Sequence, residues 1–130
     1  MIVTIFDRED ERNKVNGLST DRWSLLVQIL ESMLRRKPFC CELRGENGYD
    51  LMIGIGSLGH AQYSRADGDP PYLMALANKP SARRSVEFLL GGTATPIKAR
   101  FCMPFEEIID IARYFQETGE RSPKVNWEEV

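Results

Sequence analysis

The chain has 130 residues, 42% of them apolar and 28% charged, and its 17 Lys and Arg against 19 Asp and Glu leave a formal net charge of −2. These values suit one globular domain over residues 1–130 and exclude a disordered chain. The acidic pI near 5.5 argues against a dedicated nucleic-acid binder, and no apolar run approaches the roughly 18 residues of a membrane span.

The N-terminus runs Met1-Ile2-Val3-Thr4-Ile5-Phe6 into Asp7-Arg8-Glu9-Asp10-Glu11-Arg12, without the leading positive charge and small-residue cleavage site of a secretory signal. A helix is predicted next. Trp23, Leu26, Val27, Leu30, Met33 and Leu34 recur at helical spacing, with Ser19 or Thr20 as cap and Asp21 in the first turn. Arg35, Arg36 and Lys37 suit the negative end of its dipole, and Pro38 stops it.

From Phe39 onward the period changes to two. Phe39, Cys41 and Leu43 alternate with Cys40 and Glu42, and Leu51, Ile53 and Ile55 with Asp50, Met52 and the glycines. Ala61 and Tyr63 follow, then Tyr72, Met74 and Leu76, Val86, Phe88 and Leu90, and Ile97, Ala99 and Phe101. Turn signals at 45–48, 67–71, 78–81 and 91–92 separate these runs. A second helix is predicted from Pro104 to Gly119, with Phe105, Ile108, Ile109, Ala112 and Phe115 on one face and Ile111 and Tyr114 widening it. The expected fold is α+β, an antiparallel meander of five to six strands packed against an N-terminal and a C-terminal helix.

Candidate chemistry is sparse. Gly54-Ile55-Gly56-Ser57-Leu58-Gly59 fits the dinucleotide-binding spacing, but alternation continues past it, so a glycine-rich hairpin is expected instead. Cys40, Cys41 and Cys102 are an odd number without C-x-x-C spacing, so core cysteines in a reducing cytoplasm are expected, with neither disulfide nor metal. Cys40 and Cys41, adjacent in a strand, should point to opposite faces. His60 is the only histidine and reads as a turn residue, and sequence spacing does not bring it to any cysteine. Asp67-Gly68-Asp69 begins like a calcium loop but lacks the other ligands, so turn chemistry is expected.

Charge is unevenly spread. Residues 42–75 carry a net −3, residues 76–100 a net +4 and residues 106–130 a net −4. An acidic surface with an exposed aromatic can dock a basic protein, and Trp127, beside Glu128 and Glu129, invites that role. A tail anchor packed on the sheet is the equal alternative.

Several stretches, taken in order, carry a family resemblance. These are Leu51-Met52-Ile53-Gly54-Ile55-Gly56, Gly59-His60-Ala61-Gln62-Tyr63, Asp67-Gly68-Asp69-Pro70-Pro71-Tyr72, and Val86-Glu87-Phe88 with Gly91-Gly92. The helix from Met103-Pro104-Phe105 to Phe115, and Thr118-Gly119-Glu120-Arg121-Ser122-Pro123 before Val125-Asn126-Trp127-Glu128-Glu129, complete the set. Over about residues 50–129 the chain resembles immunity protein family one of bacterial polymorphic-toxin systems. The resemblance implies a small cytoplasmic protein, without catalytic residues or cofactor, that neutralises a cognate toxin encoded beside it, often a nucleic-acid deaminase. The toxin-binding residues are expected to be Asp67, Asp69, Tyr72, Glu120, Trp127, Glu128 and Glu129. Direct nucleic-acid or membrane contact is not expected, and the free chain is expected as a monomer or weak dimer. The rival readings are a small enzyme using a Cys or a carboxylate pair, and an adaptor docking through the basic 76–100 segment.

Overall fold

A computed structural model of the chain describes residues 1–130. In chain order its first half carries β1 (Val3–Phe6), β2 (Ser19–Thr20), α1 (Trp23–Ser32), β3 (Phe39–Gly45), β4 (Tyr49–Ile55) and β5 (Leu58–Arg65). Its second half carries β6 (Leu73–Ala75), β7 (Ser85–Leu90), β8 (Thr93–Lys98), β9 (Met103–Pro104), α2 (Phe105–Thr118) and β10 (Trp127–Glu129). The main ladder runs β10-β6-β5-β4-β3-β1-β2, antiparallel throughout. The α+β class is as expected, and the sheet is larger because β1, β2, β9 and β10 join the meander.

Alternation decides which residues share a face. Phe39, Cys41, Leu43, Leu51, Ile53, Ile55, Ala61 and Tyr63 meet Leu26, Ile29 and Leu30 of α1 and Phe105, Ile108, Ala112 and Phe115 of α2 in one core. Cys40 points the other way, into a smaller cluster with Val86, Phe88 and Cys102.

Helix ends depart from the sequence pattern in three places. Ser19 and Thr20 do not cap α1; they form β2, where Ser19 Oγ meets Thr4 Oγ1 at 2.7 Å. The N-cap is Arg22, without a side-chain cap. Second, α1 stops at Ser32 and residues 33–35 make one 3₁₀ turn. Leu34, in that turn, lies 37% exposed, and within α1 Ile29 is buried although the expected stripe omitted it. Third, Arg36 stays off the helix end. It stacks over the Phe39 ring at 3.8 Å and reaches buried Asp7 at 2.5 Å.

The β7–β8 hairpin takes a course that alternation did not reveal. β7 joins the sheet through one parallel bridge, Phe39 to Leu89, and the hairpin then covers the face opposite the helices. Ala99 and Phe101, read as strand, form a 3₁₀ turn. The two-residue Gly91-Gly92 loop makes Leu90–Thr93 the hydrogen-bonded closing pair. Counting along the ladder, Pro96 falls at a non-hydrogen-bonded position with its nitrogen toward the open edge of β8, which cannot donate there to another strand.

Candidate functional site

The Gly54–Gly59 segment is a hairpin: Gly54 pairs with His60 across the β4–β5 ladder, and no helix opens after the glycines. His60 is therefore not a turn residue. It lies inside β5, fully buried, because the β7–β8 hairpin closes over it and sets Phe88 edge-on to its ring at 4.6 Å. The same closure brings Cys40 Sγ to 3.5 Å from His60 Nε2.

Such a pair is a nucleophile only when the thiol ionises and the imidazole takes the proton. Here burial pushes the Cys40 thiol up to about 12 and the His60 imidazole down to about 4. Both shifts favour the neutral forms at pH 7. With His60 fully buried and Phe88 edge-on to its ring, the pair packs the space beneath the β7–β8 hairpin.

Of the expected toxin-facing residues, Glu120 lines an aromatic cleft of about 220 Å³ together with Tyr49, Tyr63, Pro71, Leu73 and Arg121, whereas Glu128 and Glu129 line a separate cavity with Lys98 and Arg100. The volume of the cleft lies below the roughly 300 Å³ at which small-molecule sites begin, so it suits one side chain of a partner better than a cofactor. Its floor is rigid. Tyr49 and Tyr63 stack at 4.8 Å, and Phe115 and Trp127 meet Tyr63 edge-on.

The wall is set by the end of α2. Gly119 ends the helix in the left-handed region, φ 76°, where a Cβ would collide with the Asn47 amide. Tyr63 Oη and Asn47 Nδ2 each donate to Gly119 O at 2.9 Å. Glu120 and Arg121 follow at once and stand exposed at the rim, with the Arg121 guanidinium 5.9 Å over Tyr63. Burial and the Glu120 charge push the Tyr63 phenol up to about 12.

Asp67 and Asp69 occupy the exposed loop between β5 and β6 that supplies Pro71. The Asp67 carboxylate accepts from the Asp69 amide at 2.9 Å and from Arg65 at 2.5 Å, and these bonds hold it below the usual carboxylate range. This is the turn chemistry expected for Asp67-Gly68-Asp69. Tyr72 turns its hydroxyl back to donate to Gly68 O, bracing the loop.

Trp127 packs rather than projects. It is half-buried against Tyr63, its indole N–H donates to Ser122 O at 3.0 Å, and β10 pairs it with Ala75 of β6. Glu128 and Glu129, successive in a strand, point to opposite faces. Glu128 meets Arg100 at 2.8 Å, whereas Glu129 pairs with Leu73 in the ladder and makes no ion pair. Sequence reasoning missed Asn47, Tyr49, Arg100 and Arg121, whose roles depend on partners distant along the chain.

A larger cavity, about 460 Å³ along Phe6, Asp7, Arg8, Glu11, Asn16 and Gly17, has one apolar lining residue, unlike the mostly apolar lining of ligand sites. No helix is long and apolar enough to cross a membrane. A family model described as Immunity protein Imm1 matches residues 13–129. Among curated proteins none matches the chain.

Proposed function

The chain belongs to the Imm1 immunity protein family, and from that premise we propose that it neutralises a cognate nucleic-acid deaminase toxin in the cytoplasm by covering the toxin's active site or substrate groove. The family match over residues 13–129 carries this reading. An enzyme that acts on nucleic acid needs a basic groove for phosphates, and an acidic protein surface competes for it. The acids of the β5–β6 loop, the end of α2 and β10 supply such a surface. Asp69, Glu120 and Glu129 carry no ion pair, whereas Asp67 and Glu128 are partly neutralised by Arg65 and Arg100. Tyr72 and Trp127 hold the loop and tail from which these carboxylates project.

The test uses the toxin domain encoded beside this chain. Equimolar immunity protein should abolish deamination of a single-stranded oligonucleotide, and the complex should form without metal or nucleotide. Asp69→Lys, Glu120→Lys and Glu129→Lys together should slow association about tenfold or more at low salt and flatten its salt dependence, at unchanged melting temperature. Unchanged association would remove the acidic rim as the docking surface. A toxin without deaminase activity would remove the deaminase assignment alone.

A further inference from the structure

Outside the cleft, the strongest charge asymmetry is positive. Between residues 76 and 100 the chain carries Lys79, Arg83, Arg84, Lys98 and Arg100 against Glu87 alone. The fold draws these cations together. Ala99 N donates to Arg84 O at 3.1 Å, Ala77 N donates to Arg100 O at 2.8 Å, and Ser85 pairs with Lys98 across the hairpin. Lys79, Arg83, Arg84 and Lys98 are all exposed, and none is in an ion pair. Like charges held side by side oppose folding, so nothing in the fold itself calls for this patch.

We propose that the patch formed by the 79–84 loop and the end of β8 is a second interaction surface, which takes an acidic extended segment of a partner protein. The charge fits an anionic partner, and the absence of a stacking platform favours protein over nucleic acid: Phe88 and Phe101, the aromatics nearest in sequence, are buried, so nothing is offered for base stacking. Pro96 turns its nitrogen to the edge of β8, so the segment is held by side-chain charge and not by strand addition. This surface does not depend on the toxin assignment.

The experiment uses the full chain, a fluorescently labelled glutamate peptide of about ten residues, and a single-stranded DNA oligonucleotide of matching charge, followed by anisotropy. The peptide should bind at about 50 mM salt and weaken at least tenfold or so by about 300 mM. Lys79→Glu, Arg83→Glu, Arg84→Glu and Lys98→Glu combined should cost about tenfold or more in affinity at unchanged melting temperature. Arg12→Glu with Lys14→Glu, exposed cations on the 7–17 loop, should change it less than about twofold. The proposal is overturned if the peptide does not bind at low salt, if the oligonucleotide binds more tightly, or if both charge-reversed variants weaken binding equally.

Discussion

Gly54 stands directly opposite His60 on the β4–β5 ladder, and its missing Cβ is the space that the His60 ring occupies beneath Phe88. A Cβ at position 54 would collide with that ring and lie 2.7 Å from Phe88 Cε1. Gly54→Ala should therefore destabilise the fold by about 1–3 kcal/mol through overpacking. Urea denaturation measures this. Adding His60→Ala should recover part of the loss, since the colliding ring is then gone.

Acid should weaken the protein through the same histidine. Unfolded, His60 takes its proton near 6.5; folded, burial delays protonation to about 4. Between those values the unfolded chain binds more protons, so stability is present above pH 6.5 and falls as pH drops toward 4, by about 3 kcal/mol at most. Chemical denaturation at pH 7.0, 5.5 and 4.5 should show this decline, and His60→Gln should flatten it. Asp7 titrates in a lower window. Burial alone would raise its carboxyl, but hydrogen bonds from Arg36 and Asn13 and the Arg36 charge hold it below the ordinary range.

Asp7 also organises the loop after β1. Its carboxylate accepts from Arg36, from Asn13 Nδ2 at 2.9 Å, and from the amides of Glu9 and Asp10. Asp7→Ala leaves these donors unmatched and should cost about 3–5 kcal/mol. Amide exchange should quicken across residues 8–17 in particular, with the β4–β5 ladder losing protection only as global stability falls.

Trp127 gives a test that separates packing from docking. Trp127→Ala should lose about 2–3 kcal/mol of stability, below the figure for a fully buried Trp because the ring is half-exposed. Trp127→Phe keeps an aromatic ring against Tyr63, loses the bond to Ser122 O, and should cost only about 1 kcal/mol. Toxin affinity should survive Trp127→Phe. A loss of about 2 kcal/mol in binding at unchanged melting would make the indole a docking anchor instead.

Local features of this protein were legible in its residues because they depend on neighbours a few positions away. The stripe of α2, most of that of α1, the Gly119 cap, the Asp67–Asp69 turn and the opposite facing of Cys40 and Cys41 follow from period, cap and turn chemistry. Even the charge blocks can be counted from the sequence alone. Period two, however, says which side chains share a face and not what covers it. Only the folding of β7–β8 across the sheet decided that His60 is buried beside Cys40 rather than exposed at a turn. Only the pairing of β10 with β6, a contact spanning some fifty residues, made Trp127 a packed anchor and sent Glu128 and Glu129 to opposite faces. Such long-range pairings are settled by the whole chain burying its apolar area at once, and no local window contains that balance.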